Sequence, residues 1–332
     1  MRTNWLLSTI GKRGYIADYL READPDIHVV GSGNVMFTPG FTSCDEAVLM
    51  PEIADPGYLD AVREVVASRK IDAILSLSDP DVAALSQLRT ELSAQGVSCF
   101  FPDAETARVG FDKLETARWA AANGVRVPRT FADADEAMAT LGLPLIRKPR
   151  HGSGSAGVAV IRDESELLPG RHDSTEYIYQ ELIVGQEVNL ELCSDLAGRP
   201  MGVSCWKKLI SRNGETELAV TLRRQDLLDL GLSLAEKLAA EKLAIVGPCD
   251  VDVIDRDGEL FLIEFNMRFG GGYPVSQLAG AGFPELLVRA QKGEKPALRT
   301  DFEGDVFMMK ALRPFGGRMA EAAAMFLLEG GR

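Results

Sequence analysis

Two stretches of this chain combine residue types that could handle a polyphosphate and its counter-ion. The first, Lys148-Pro149-Arg150-His151-Gly152-Ser153-Gly154-Ser155-Ala156-Gly157, sets glycines and serines beside two cations. Glycine-freed backbone N–H groups and serine hydroxyls are donors for phosphate oxygens, and Lys148 and Arg150 supply charge. Gly152, Gly154 and Gly157 spell GxGxxG, but a dinucleotide fingerprint must run from a strand into a helix. Here Val158-Ala159-Val160-Ile161 follows, which reads as a strand, and no lysine follows Gly157 as a Walker loop requires. The stretch therefore reads as a hairpin loop that grips phosphates, with a plain solvated loop as the alternative.

The second stretch carries Asp250, Asp252, Glu264 and Asn266 on two strand-like runs, 249–254 and 259–266, joined by Asp255-Arg256-Asp257-Gly258. A three-residue loop with Gly258 in the left-handed position, a type I turn plus bulge, suits this joint. That register pairs Val253 with Phe261 and puts the four polar residues on one face, with Arg268 joining them if the strand continues. Carboxylates with an amide oxygen are hard ligands suited to Mg²⁺ that also holds phosphate oxygens. A four-residue loop would send Asp252 and Glu264 to opposite faces, and an ordinary exposed polar strand face is the competing reading.

The elements that must position these residues fall into two grammars. Strand signals at 5–10, 27–31, 71–77 and 97–101 alternate with helical spacing up to residue 20, at 58–68 and from Asp79 to Leu92, which argues for a parallel sheet with right-handed crossovers. Beyond Asp112 a helix is expected over 113–123. Strands follow at 143–148, 158–162, 177–182, 187–194 and 201–207, then a helix at 227–243, the acidic hairpin and a helix at 283–291. Strand pairs with interspersed helices point to an α+β second half with antiparallel sheets. A docking helix is expected at 320–328.

Composition narrows the function classes. The charge sum of 36 cations against 49 acids gives −13, so the basic stripe of a nucleic-acid binder is absent. No apolar run approaches the roughly eighteen residues of a membrane span, and the first fifteen residues do not read as a signal peptide. Five scattered cysteines without a CxxC spacing read as reduced thiols, which sets a cytoplasmic expectation.

Taken in order, the stretches resemble the ATP-grasp superfamily, and most of all a single unit of the branch related to carbamoyl-phosphate synthase large subunits. The resemblance is carried by Asp112-Lys113, by Leu145-Ile146-Arg147-Lys148 with its loop to Gly157, and by Gln180-Glu181-Leu182-Ile183-Val184-Gly185-Gln186-Glu187. It continues through Gly247-Pro248-Cys249-Asp250-Val251-Asp252 and Ile263-Glu264-Phe265-Asn266-Met267-Arg268-Phe269-Gly270-Gly271-Gly272. It implies an α/β and α+β chain, an ATP-grasp fold preceded by a Rossmann-like pre-grasp domain. The pre-grasp domain would occupy 1–110, a small lid subdomain 111–180 and the C-terminal subdomain 181–332.

The resemblance also implies roles. Lys113 and Lys148 would contact ATP phosphates, with Arg150 beside them and Ser153, Gly154, Ser155 and Gly157 closing over them. Glu181, Leu182 and Ile183 would read adenine through their backbone, and Glu187 would bind the ribose hydroxyls. Asp252, Glu264 and Asn266 would hold Mg²⁺, with Mn²⁺ as an alternative ion, and Arg268 would steady the transferred phosphate. Lys207, Lys208, Arg223, Gly271 and Gly272 are candidates for the acceptor side, whereas His151 reads as incidental. Met267 replaces a common proline, and Asp252 stands where that branch often has glutamine. One grasp unit is legible where those synthase subunits carry two, so a complete synthase is not expected.

The implied chemistry is ligation: a substrate carboxylate becomes an acyl phosphate, a small-molecule amine displaces the phosphate, and ADP is released. Phosphorylation of bicarbonate or carbamate, or a non-catalytic ATP-binding subunit, are the alternatives. No nucleic-acid or membrane partner is expected, and a homo-oligomer is left open. If the glycine loop closes over phosphates, limited proteolysis within 152–157 should slow when Mg²⁺ and a non-hydrolysable ATP analogue are added together; unchanged cleavage would count against that assignment.

Overall fold

The computed structural model describes residues 2–152, 154, 156–167, 175–212, 215–311 and 314. Its first hundred residues form a parallel five-stranded sheet from β1 (Thr3–Ser8), β2 (Ile27–Gly33), β3 (Glu46–Leu49), β4 (Ala73–Ser76) and β5 (Ser98–Cys99), in the order β3-β2-β1-β4-β5. Helices α1 (Tyr15–Ala23), α2 (Tyr58–Ser68), α3 (Asp79–Leu85) and α4 (Arg89–Ala94) provide the crossovers. Covered strands read as apolar runs; every residue of β4 is buried. Strand order reverses between β1 and β4, so the loops that follow them open on a shared crevice.

The sequence expectation of one helix from Asp79 to Leu92 is corrected: a 3₁₀ turn at Ser86–Leu88 separates α3 from α4. The edge strand β3, four residues long, was not anticipated.

Two helices lead into the second half, α5 (Ala104–Phe111) and α6 (Lys113–Ala122). Asp112 separates them and caps α6, accepting from the Leu114 N–H at 3.0 Å. The cap fixes Lys113 at the first turn of α6. A small antiparallel sheet follows, ordered β6-β9-β7-β8, from β6 (Thr130–Phe131), β7 (Leu145–Pro149), β8 (Ala159–Ile161) and β9 (Tyr177–Glu181). Helix α7 (Ala134–Leu141) covers it, and Ala134, Ala137, Leu145, Ile161 and Tyr179 form a core separate from the main one.

The large sheet runs β14-β13-β10-β11-β12-β15. Its strands are β10 (Gln186–Ser194), β11 (Pro200–Arg212), β12 (Glu215–Thr221), β13 (Gly247–Arg256), β14 (Glu259–Asn266) and β15 (Phe307–Met309). Strand alternation sends Val188, Leu190, Leu192, Val251 and Val253 into the core. Helix α8 (Gln225–Ala240) covers that face with Leu227, Leu234 and Leu238. Helix α6 also seats on this sheet, where Trp119 meets Phe265 edge-on with ring centroids 5.7 Å apart. Helices α9 (Pro274–Leu278) and α10 (Phe283–Gln291) complete the layer, and the main core is continuous from the parallel sheet to the large one.

The acidic hairpin reaches the expected facing by an unexpected route. Arg256 pairs with Glu259, so the loop has two residues, Asp257 and Gly258, both with positive φ (53° and 91°). That is a type I′ turn in place of the expected three-residue loop, and Val253 pairs with Leu262, not Phe261. A two-residue loop alone would turn Glu264 away from Asp252. A bulge at Ile263 corrects the phase, since Asp252 pairs with Glu264 and Asp250 with Asn266.

Residues 320–328 lie outside the described residues. No helix among the described residues is long and apolar enough to cross a membrane. Because the turn sets the phase, Gly258→Ala, which forces a side chain at positive φ, should lower stability in urea melts by about 1 kcal/mol. Asp257→Asn should cost less, since asparagine tolerates that region; equal and negligible losses would contradict the turn.

Candidate active site

Strand pairing alone builds a polar face on the large sheet. Asn189 lies opposite Asp252 and Trp206, and Glu191 opposite Asp250. With the bulge, Glu264 and Asn266 join them. Burial makes this concentration of acid costly unless cations approach. Lys113 sets its Nζ 3.2 Å from Glu264 Oε2 and donates to the Gly152 carbonyl at 2.6 Å. Lys208 reaches Glu187 at 3.0 Å. Lys148, buried on β7, also faces Glu264; burial pulls its pKa down while the Glu264 carboxylate opposes that.

The two central carboxyls respond in opposite directions. Burial, then Asp250 and Glu264, push Asp252 well above the usual carboxylate range. Glu264 is also pushed up by burial, but Lys113 and a hydrogen bond shared with Asp252, with Lys148 behind them, bring it below its ordinary value. Two carboxyls in hydrogen-bond contact form a site that a divalent cation would relieve. Asn266 Nδ2 donates to Asp252 Oδ2 at 3.2 Å, and the buried Asn189 Oδ1 has no hydrogen-bond partner among the described residues. Among the described residues no group of three or more His, Cys, Asp or Glu side chains is poised for a metal. The donor set here is two carboxylates plus amide oxygens, which suits Mg²⁺ completed by phosphate oxygens.

Arg268 sits just beyond β14 and is fully engaged. Its Nη2 lies 2.9 Å from Asp79 Oδ2, its Nη1 3.3 Å from Asp250 Oδ2, and Nη2 donates to Asn266 Oδ1 at 2.9 Å. Asp79 begins α3, so this arginine ties the N-terminal sheet to the large one. Behind it the buried Glu191 accepts from Trp206 Nε1 at 3.3 Å, and burial with the neighbouring Asp250 pushes its carboxyl well up. Gly272 is required here, because a Cβ would come within 2.3 Å of the Trp206 ring.

Two cavities meet at this face. The first lies between the sheets, with apolar walls from Ile146, Val158, Ile254 and Ile263 and a charged end at Lys113, Lys148 and Glu187. The second lies toward the N-terminal sheet and is polar, lined by Arg13, Asp79, Glu215, Arg268 and Gly271 among others. They share Lys208, Asp252 and Glu264.

The sequence-derived candidates distribute as follows. Lys113, Lys148, Glu187, Lys208, Asp252 and Glu264 line the first cavity, and Gly154, Asn266, Arg268 and Gly271 the second. Gly157, at φ 72°, packs where a Cβ would meet Pro149 at 2.8 Å. Ser153 and Ser155 lie outside the described residues. Residues 181–183 link β9 to β10, with Glu181 accepting from Arg129 Nε at 2.8 Å, and their side chains are not among those lining either cavity.

Three candidates are corrected. Arg150 grips Asp112, through Nε at 2.8 Å and Nη2 at 2.7 Å, instead of pointing into the cleft. Lys207 alternates to the sheet face opposite Lys208. Arg223 donates to the Phe302 carbonyl at 2.8 Å and lies over the Phe302 ring. His151, read as incidental, lines the first cavity and approaches Asp112 at 3.5 Å.

Sequence reasoning missed Arg13, Asp79, Asn189, Glu191 and Trp206. The alternation Glu187-x-Asn189-x-Glu191 was a readable signal of a polar face. The pairing of Asp79 with Arg268 spans 189 positions and had none.

Comparison with known proteins agrees with this geometry. Residues 111–272 match the ATP-grasp domain, and residues 5–100 match the PylC-like N-terminal domain. The chain carries an ATP-grasp domain behind a PylC-like N-terminal domain. It is 27% identical over 281 residues to the carbamoyl phosphate synthase large chain of Mycobacterium tuberculosis, covering 73% of this chain but only 24% of that protein. This ATP-grasp chain thus spans about a quarter of the length of that relative.

Among solved structures it resembles the biotin carboxylase domain of Hydrogenobacter thermophilus 2-oxoglutarate carboxylase in complex with MgADP, ADP and bicarbonate (TM-score 0.67, 17% identity, 89% of this chain and 71% of that one). It also resembles the L-amino acid ligase of Bacillus licheniformis (TM-score 0.67, 21% identity, 88% and 74%).

The Arg150–Asp112 pair gives a test of its structural role. Burial pushes Asp112 up, but Arg150 overrides it and holds the carboxyl below the usual range. A depressed folded-state value means the stabilisation is present above the ordinary carboxylate pKa and is lost as pH falls through the depressed one. Arg150→Ala should therefore cost about 1–3 kcal/mol near neutral pH, and the gap to wild type should close in acid. Nucleotide binding lost without destabilisation would return Arg150 to the phosphate site.

Proposed function

We propose that this chain is an ADP-forming carboxylate–amine ligase. The observation that carries the reading is the wall shared by the two cavities: Lys208, Asp252 and Glu264 face a slot with apolar walls and a charged end on one side and a polar chamber on the other. A phosphoryl group delivered at that wall would pass from nucleotide to acceptor without leaving the protein.

In this account the adenine lies between Ile146 and Val158 on one side and Ile254 and Ile263 on the other, with the 181–183 backbone at its edge. Glu187 takes the ribose hydroxyls, and Lys113 and Lys148 the phosphates. Asp252 and Glu264, with Asn266 after rotation of its amide, would hold Mg²⁺, which would supply positive charge against the phosphates. A carboxylate oxygen of the acid attacks the γ-phosphorus, and the bond to the β–γ bridging oxygen breaks to release ADP. The amine then attacks the acyl carbon, gives up a proton and expels phosphate. Arg268, whose N–H groups are taken by Asp79, Asp250, Asn266 and the Phe269 carbonyl, would add positive charge near the phosphate as its charge redistributes. No protein nucleophile is needed; the residues position and stabilise.

The likeness to carbamoyl phosphate synthase large chains supports a second reading, phosphorylation of bicarbonate or carbamate. Hydroxylamine separates the two. Under the ligase reading, one acid in a panel of amino acids and small carboxylic acids should trigger ADP release and be trapped as a hydroxamate. Bicarbonate-stimulated release without any acid-dependent hydroxamate would favour the second reading. ATP binding without turnover across the panel would point to a non-catalytic subunit.

Two variants test the roles. Glu264→Gln should fold normally and lose most Mg²⁺-dependent turnover; wild-type turnover at saturating Mg²⁺ would remove Glu264 from the metal set. Arg268→Ala should lower kcat by about 10²-fold or more while changing ATP affinity far less; equal losses in both would contradict a role confined to the transferred phosphate.

A further inference from the structure

Among the described residues, the polar cavity contains one cation with no acid within ion-pair distance. Arg13 lies in the loop between β1 and α1, at the crevice where the parallel sheet reverses its order. Its Nη1 donates to the carbonyls of Leu77 and Phe269, each at 2.9 Å, one from the N-terminal sheet and one from the segment after β14. Those bonds use both hydrogens of Nη1 and fix the guanidinium plane. The Nε and Nη2 edge, the one that meets a carboxylate in a two-point fork, is left over. Arg13 makes no ion pair among the described residues, although it lines a chamber that also holds Asp79, Glu215 and Arg268.

Its neighbour shows what is missing. Arg268 Nη1 donates to the same Phe269 carbonyl at 3.1 Å, so two guanidinium groups converge on one oxygen. The charge of Arg268 is met by Asp79 and Asp250. Arg13 has no ion-pair partner among the described residues and acts on Glu215 only at longer range, so its Nε–Nη2 edge is open to an anion beside Arg268. Since Arg268 would add charge near the transferred phosphate in the ligase reading, an anion on Arg13 would sit beside the arriving phosphoryl group.

The same chamber has acceptors to spare. Asp79 Oδ1 is buried with no hydrogen-bond partner among the described residues, although Oδ2 of the same carboxylate is bound to Arg268. Glu215 reaches Lys310 at 3.1 Å through one oxygen, and despite burial Lys310, with Arg13 and Arg268 behind it, keeps its carboxyl below the ordinary value. A charged Glu215 and an unsatisfied Asp79 oxygen call for a donor with positive charge.

We propose that the acid this chain activates is an amino acid, its carboxylate forked by Arg13 next to the phosphate and its ammonium group facing Glu215 and Asp79. The proposal rests on the ligase reading above and adds the substrate class.

The test begins with titration calorimetry of the wild-type chain with Mg²⁺ and a non-hydrolysable ATP analogue, then with L- and D-amino acids in the presence of that pair. Each amino acid is matched against its des-amino acid and its carboxamide. At least one amino acid should bind, with both counterparts weaker by about tenfold or more. In ADP-release assays with that amino acid, Arg13→Ala should raise its KM by about tenfold or more and leave the KM for ATP within about twofold. Arg13→Lys keeps the charge and loses the fork, and should fall between.

The inference is overturned if the nucleotide binds and no amino acid binds better than its counterparts, or if neither Arg13 variant changes the amino-acid KM. Failure of the nucleotide itself to bind would instead remove the ligase reading, and this inference with it. Thermal melts of both variants separate a lost contact from a lost fold.

Discussion

The structure depends on keeping several carboxyl groups buried together on one face of an antiparallel sheet. Glu191, Asp250, Asp252 and Glu264 lie within two strand pairings of one another, and Asp79 arrives from a different sheet. In a poorly solvating interior such a set either takes up protons or draws in cations. Here both happen. Glu191 and Asp252 are pushed toward the protonated form, while Glu264 is held ionised by lysines. The cations come from separate parts of the chain: Lys113 from a helix start, Lys148 from the small sheet, Lys208 from a neighbouring strand and Arg268 from beyond the hairpin. That charge requirement is what brings three structural units to a single junction.

The arrangement is incomplete in a way that points outward. Buried polar atoms are nearly always satisfied in folded proteins, yet among the described residues Asn189 Oδ1 and Asp79 Oδ1 are not. Each lies at the acidic face, one within the set suited to Mg²⁺ and one in the polar chamber. Arg13 adds a fork of donors with no ion pair among the described residues. A charge-rich site that is strained alone and relieved by ligands converts binding free energy into order at the reacting groups. The ATP-grasp match covers the strands that carry the acidic face, and the N-terminal sheet, through Arg13 and Asp79, supplies part of the wall of the polar chamber.

Much of the fold was legible because its signals are local. Helices 58–68 and 283–291 and the β10–β11 hairpin follow from apolar periodicity and turn residues, and the structure places them where those signals put them. The acidic hairpin was read with the right facing and the wrong turn. Composition at Asp255-Arg256-Asp257-Gly258 does not distinguish a three-residue loop from a type I′ turn followed by a bulge, and the bulge leaves no mark in Leu262-Ile263-Glu264. Arg150 was read as a phosphate ligand because its neighbours are glycines, and only the fold shows Asp112 within reach. Lys207 and Lys208 are a case where alternation decides between adjacent lysines, and the strand phase had to be known first. The Arg13–Phe269 and Asp79–Arg268 contacts join residues hundreds of positions apart or nearly so, and no local signal encodes them.

The most direct test of the central claim is the position of a metal on the acidic face. Crystals of the chain grown with Mn²⁺ and ADP would report the ion through its anomalous scattering. The account predicts a peak within bonding distance of carboxylate oxygens of both Asp252 and Glu264, contacting the nucleotide phosphates on the side of Lys113 and Lys148. Bound ADP with the ion held elsewhere, or with Asp252 and Glu264 still hydrogen-bonded to each other, would contradict it.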